Sequence, residues 1–272
     1  MDPGRKEDEV MRHSEIEEEV EGNPTPLFST NVLPQGKLTL PDGRQISCFT
    51  RASRHMDSSA QDFLFVDDLW PGCRFLADFI ILNRDVFVSK ICLELGAGGA
   101  LPSLAAGLLG AEKVVITDYP AKGVIENIEG VIAANSITNA VAIGHIWGID
   151  IEKVLKLGRT SSSGEMLGYD VIFLAELLWR DTYHLHRNLL ESLSACMNKK
   201  TGVAYMTIAH RPTTSLLGHT AEKDLEFFSV AASEFDLKSS IIETCSRYFD
   251  VGELVTIDVY LYELRVIQKT LK

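Results

Sequence analysis

The sequence predicts an α/β protein: a Rossmann-like, doubly wound, seven-stranded and mostly parallel sheet with helices on both faces, carrying an N-terminal β-hairpin extension. Three observations predict it. Seven short apolar runs between Ile91 and Glu263 alternate with segments of helical spacing. The run Tyr169–Leu174 (YDVIFL) is apolar without alternation, as in a strand buried on both faces. Ile91–Leu95 (ICLEL) ends in a glycine-rich turn at Gly96, Gly98 and Gly99 that opens a helix, the beginning of a βαβ unit.

The elements follow in order. Residues 1–22 hold nine acidic and three basic residues and few apolar ones. Such a segment cannot offset its ordering entropy, so a disordered acidic tail is expected there. Residues 23–66 form a hairpin and loop extension. In it Lys37–Leu40 and Gln45–Phe49 alternate around Pro41-Asp42-Gly43-Arg44, and Thr50–Gln61 is a polar loop. The main domain occupies residues 67–272. Leu69-Trp70-Pro71-Gly72 leads into a helix through Phe75, Leu76, Phe79, Ile80 and Leu82, with Pro71 suited to the first turn. After Ile91–Leu95, a helix opens with Pro102 in its first turn, and Val114–Thr117 forms a second strand closed by Asp118.

Val124–Ala134 has helical spacing, Ala140–Ile146 reads as a third strand and Glu152–Leu157 as a short helix. The polar run Arg159–Gly168 is expected to be a flexible connection. After the Tyr169–Leu174 strand, Asp181 can cap a helix running through Leu185, Leu189, Leu190 and Leu193. Gly202–Ala209 is a buried strand, Glu222–Phe235 a helix, and Leu237–Thr244 and Leu254–Glu263 the terminal strands.

Composition excludes several classes. The chain has 272 residues, 46% hydrophobic and 24% charged, ordinary values for a globular domain. A net charge of −12 argues against broad nucleic-acid binding and fits a basic protein partner. Five scattered cysteines, none spaced C-x-x-C, suggest a reducing compartment without a disulfide framework or zinc site. His184 and His186 lie near Asp181, but positions i and i+2 on a helix face different ways, so no metal is expected. The acidic start is unlike a signal peptide. The longest uncharged run, Leu95–Ala111, has 17 residues with five glycines and a proline, too short and broken for a membrane helix. A soluble monomer is expected, in the cytoplasm, with the nucleus as the alternative compartment.

The glycine loop narrows the ligand. A dinucleotide fingerprint from Gly96 needs glycine at 101, where Leu101 stands, and no Gly-Lys-Ser/Thr follows for a P-loop. Glu94, two residues before the first glycine, would repel a pyrophosphate. A cationic ligand with hydroxyl donors suits Glu94 and Asp118, and S-adenosylmethionine has a sulfonium, an ammonium and a ribose diol. Asp118 at a strand end can accept hydrogen bonds from both ribose hydroxyls. Trp147, followed by Gly148, offers a flat face for adenine. The bland alternative is an ordinary strand–turn–helix with glycines for packing, and Ala100 departs from the third glycine frequent in such enzymes.

Further motifs carry a family resemblance: LWPG with Trp70, ELGAG at Glu94–Gly98, TDYP with Asp118 and Tyr119, Trp147-Gly148, and AELLW. The last matches a D/E-x-x-Y/F element, with Glu176 at the acidic position and Trp179 replacing the tyrosine or phenylalanine. From about Asp67 to Glu263 the chain resembles the seven-strand S-adenosylmethionine methyltransferases of methyltransferase family 16, the lysine methyltransferase-like group. TDYP and AHRP…EKDLEFF look most like its fungal nicotinamide N-methyltransferase-like branch, which methylates the N-terminus and a nearby lysine of translation elongation factor 1-alpha. The resemblance implies that Trp70, Gly96, Ala97, Gly98, Asp118, Trp147 and Ala175 contact the cofactor; Glu94 and Tyr119 complete the expected set. It also implies a protein substrate. Glu176 is the candidate that binds the arriving ammonium, with Trp179 as an aromatic wall offering cation–π attraction. A small-molecule N-methyltransferase and a non-catalytic cofactor-binding module are the alternatives.

Overall fold

A computed structural model describes residues 37–48, 70–121, 123–178, 180–209, 221–250 and 254–268. The acidic segment 1–22, the loop Thr50–Gln61 and Trp179 lie outside these described residues.

The expected hairpin is present as β1 (Lys37–Thr39) and β2 (Gln45–Ser47), paired antiparallel with Leu38 opposite Ile46. Both of those side chains, with Leu40, are buried in the main core. Pro71 opens α1 (Pro71–Leu82), which is followed by the short α2 (Arg84–Phe87). Then come β3 (Ile91–Leu95), α3 (Leu101–Leu108), β4 (Lys113–Asp118), α4 (Val124–Ala134) and β5 (Ala140–Gly144). Asn135, just past α4, grips the hairpin by accepting from Ser47 N and donating to Ser47 O, both at 2.8 Å. The second half runs α5 (Ile151–Leu155), β6 (Arg159–Thr160), β7 (Met166–Gly168) and β8 (Val171–Ala175). A 3-10 turn (Arg180–Leu185), α6 (His186–Cys196), β9 (Val203–Ala209), α7 (Ala221–Phe235), β10 (Leu237–Asp250) and β11 (Leu254–Val266) complete the described chain.

Seven strands form one sheet in the order β10-β11-β9-β8-β3-β4-β5. All neighbours are parallel except that β11 runs antiparallel to both β9 and β10. The period-two alternation of a strand explains the continuous apolar runs. Val171, Phe173 and Ala175 face the cluster containing Leu76, Leu104 and Ile128 of α1, α3 and α4. Ile172 and Leu174 face Val154, Leu189 and Phe227 of α5, α6 and α7. The winding direction reverses between β3 and β8, so a crevice opens there at the carboxyl ends of the strands.

Several boundaries differ from expectation. Arg159–Gly168 is a two-stranded ribbon rather than a flexible connection, because Arg159 bonds Asp170 at 2.7 Å and Glu112 at 3.1 Å and Ser161 Oγ accepts from Glu165 N at 2.9 Å. β5 stops at Gly144, since His145 N turns to Asp118 O at 2.8 Å. The helix expected from Asp181 begins as the 3-10 turn and becomes α-helical only at His186. β10 and β11 extend past Thr244 and Glu263, each continuing through pairing with the other. No helix among the described residues is long and apolar enough to cross a membrane. No group of three or more metal-ligating side chains is assembled among them.

Candidate active site

The turn after β3 is shaped by Gly96 (φ +65°) and Gly98 (φ +52°), in the left-handed region that glycine enters without strain. Ala97 N donates to Thr117 O (3.0 Å), and Ala100 N closes a tight turn on Ala97 O (2.7 Å). Ala100 itself is left-handed (φ +57°), where an L side chain costs about 1–2 kcal/mol. It stands at the N-cap of α3, a place where alanine offers the helix no acceptor.

Glu94 supplies that acceptor instead. Its Oε2 takes the backbone N–H of Ser103 in the first turn of α3 at 3.2 Å, a favourable end of the helix for a carboxylate. The side chain is fully buried, and this burial pushes its carboxyl up to about 8. The other oxygen, Oε1, is buried without a hydrogen-bond partner. Such an atom is costly unless a donor arrives, and the ammonium of a bound amino-acid moiety is a fitting donor.

Asp118 closes β4 and ties it to the loop. Its Oδ2 accepts from Gly98 N (2.7 Å) and its Oδ1 from Tyr119 N (2.6 Å). Burial raises its pKa against the lowering effect of these two bonds. Each oxygen keeps lone-pair capacity for a hydroxyl donor, so the geometry fits a ribose diol. Tyr119 takes part through its backbone; the residue is 52% exposed.

Trp147 follows β5 and lies against Gly96. A Cβ built on Gly96 would stand 3.0 Å from Trp147 Cζ2 and 2.8 Å from Leu177 Cδ2. The Trp147 segment is held from α6: Ser192 Oγ accepts from Gly148 N (2.8 Å) and lies 2.9 Å from His145 Nε2. Burial lowers the His145 pKa, favouring the neutral imidazole. Leu177 and Ser192 escape sequence reasoning, Leu177 because it reads as core and Ser192 because its helix shows only an apolar stripe. Gly96→Ala is expected to fold less stably, by about 1–2 kcal/mol for the left-handed backbone alone, and to lose most cofactor affinity as Trp147 and Leu177 shift. Thermal melts and titration calorimetry read both effects; retained affinity would remove Gly96 from the pocket.

On the other side of the crevice, Ala175 ends β8, buried, and Glu176 follows in left-handed backbone (φ +57°). Glu176 Oε1 accepts from Gly72 N at 2.9 Å, so its carboxylate sits at the N-terminus of α1. Thr207 Oγ1 donates to Gly72 O (3.0 Å), and Glu176 N donates to Thr207 O (3.0 Å). These bonds lash α1 to the ends of β8 and β9. Trp70 is the N-cap residue of α1 and is nearly buried. The structure thus gathers Glu94, Gly96, Ala97, Gly98, Asp118 and Trp147 around the glycine loop, with Trp70, Ala175 and Glu176 at the neighbouring strand end.

Comparison with known proteins agrees with this architecture. The YcgJ protein of Bacillus subtilis has a similar fold, with a TM-score of 0.50, 11% identity, and coverage of 72% of this chain and 100% of that one. A protein N-terminal and lysine N-methyltransferase, efm7, of Schizosaccharomyces pombe is 32% identical over 192 residues, covering 69% of this chain and 71% of its own. The enzyme of the same description from Eremothecium gossypii is 33% identical over 186 residues, and the match spans 64% of each chain. Residues 67–234, which carry the glycine loop, Asp118, Trp147 and Glu176, match the family described as lysine methyltransferase, and the chain belongs to that family.

Proposed function

We propose that the protein transfers a methyl group from S-adenosylmethionine to a lysine or N-terminal amine of a basic protein, with translation elongation factor 1-alpha as the candidate substrate. The observation that carries the reading is the buried, donor-seeking Oε1 of Glu94 beside the loop closed by Asp118. Family membership and the activities described for the relatives support it. Five free cysteines fit the reducing cytoplasm as its compartment.

The cofactor supplies a methyl group already activated on a sulfonium. The chain's own residues bind, align and exclude water. Glu94 and Asp118 would hold the ammonium and the ribose of the cofactor, and Trp147 would support its adenine. The acceptor must reach the site as a neutral amine, its proton having passed to solvent. For a lysine near 10.4 that costs about 4.6 kcal/mol at neutral pH, and for an α-amine about 1 kcal/mol. A carboxylate beside the acceptor, Glu176, binds the arriving ammonium and, once its proton has left, orients the lone pair of the neutral amine in the desolvated site.

Incubation with methyl-labelled S-adenosylmethionine, purified elongation factor 1-alpha and, separately, a cell lysate tests this. A labelled elongation factor band is expected, reduced in Asp118→Ala, whose cofactor binding should weaken by about 1–3 kcal/mol. Label confined to small molecules would indicate a small-molecule acceptor. Cofactor binding without transfer would indicate a non-catalytic module.

A further inference from the structure

The β10–β11 pairing continues after the sheet proper ends. β11 pairs with β9 from Arg265 only to Val259, opposite Ala209 at the carboxyl edge, whereas it pairs with β10 as far as Leu254 opposite Asp250. The last turns of this pairing therefore form a two-stranded ribbon projecting past the edge where the candidate site lies.

One face of the ribbon is fixed. Arg247 reaches buried Asp78 of α1 at 2.9 Å, Asp78 also holds Arg74 at 3.0 Å, and the Arg247 guanidinium lies 5.7 Å from the centre of the Phe75 ring. On the opposite face Ser246 and Asp258 are exposed, while Tyr260 is half-buried against the cluster of α5, α6 and α7. There the cross-strand pairs Thr244–Tyr260 and Ser246–Asp258 border a groove of about 340 Å³, to which Cys245 also contributes. Ser246 Oγ donates to Asp258 Oδ1 at 2.7 Å and orients an exposed carboxylate. Among the described residues no cation pairs with Asp258.

We propose that this groove receives a cationic side chain of the polypeptide substrate, flanking the amine that is methylated. The inference rests on the protein methyltransferase reading and deepens it. An aromatic ring beside an oriented carboxylate suits a lysine or arginine, through cation–π and charge attraction together. The position suits a flanking residue rather than the acceptor. Leu261 and Ala175 both pair with Thr207, and Asp258 lies three residues further along β11. Two strand spacings and three residue rises place Asp258 about 14 Å from Ala175, the reach of about four extended residues. The chain's net charge of −12 favours approach of a basic segment to this edge.

Fluorescein-labelled octalysine, followed by anisotropy with the full chain, tests the groove. Asp258→Lys should bind it about tenfold more weakly at low ionic strength, with the gap closing as salt is added. Asp258→Glu should restore binding, and S-adenosylmethionine affinity should be unchanged in both variants. The acidic first 22 residues are common to all three proteins, so the difference reads the groove. Equal octalysine affinity in wild type and Asp258→Lys, or no binding by either, overturns the proposal. Failure of the methyltransferase reading shows separately, as absent transfer by wild type in the labelling experiment.

Discussion

Glu176→Gln is expected to leave S-adenosylmethionine affinity within a few-fold and to lower turnover by at least about 10²-fold, the lower range for a positioned acid–base group. The amide oxygen of glutamine can still accept from Gly72 N, the bond that Glu176 Oε1 makes at 2.9 Å, so the first turn of α1 keeps its anchor. What disappears is the negative charge at the carboxyl edge of β8. The left-handed backbone at Glu176 is strain of the kind that persists at functional sites when surrounding bonds enforce it, here Glu176 N on Thr207 O. Gly72→Ala is the steric counterpart, since its Cβ would stand 2.5 Å from Glu176 Cγ and must displace the side chain. Both variants should lose turnover, by different routes. Wild-type turnover in Glu176→Gln would make the carboxylate a cap for α1 and move the acceptor site elsewhere.

What was legible in the sequence is what depends on neighbours along the chain. Val124–Ala134 forms as expected because uninterrupted helical spacing specifies it, and Pro71 and Pro102 mark the first turns they favour. The buried strands were legible because both faces are covered, so every residue of Val171–Ala175 is apolar. What depends on contacts in space was not. Arg159–Gly168 is polar along its length, and its pairing is fixed by Asp170 and Glu112 from elsewhere in the fold. The projecting ends of β10 and β11 lack a continuous apolar pattern because they pair with each other beyond the sheet.

The site divides in the same way. Glu94, the glycines and Asp118 were recognisable from spacing. The binding of Asp118 to Gly98, and the service of Glu94 to α3 in place of a capping side chain at Ala100, were not. Glu176 was placed at the right strand end, but its bond to Gly72 spans 104 positions and leaves no local trace.

Glu94→Gln should raise stability at neutral pH while impairing cofactor binding, with both effects depending on pH. Burial lifts the Glu94 carboxyl from 4.5 to about 8, so between those values the folded state holds a proton that the unfolded state releases. Stability from this group is therefore intact below about pH 4.5, declines as pH rises, and is fully lost above about 8. At pH 7 the loss is about 3 kcal/mol. Glutamine resembles the protonated acid and does not titrate, so the gain of the variant over wild type should grow from near zero at pH 4.5 to about that value. A cationic ligand reverses the preference, because it favours the ionised carboxylate. Wild-type affinity should rise about tenfold from pH 6 to pH 7, whereas Glu94→Gln should bind weakly with little pH dependence over that interval. Denaturant titrations and calorimetry at matched pH measure the two effects independently. A constant stability difference from pH 4.5 to 8 would show that Glu94 stays ionised in the fold. Parallel pH profiles of binding would show that its free oxygen does not face the cofactor's charge.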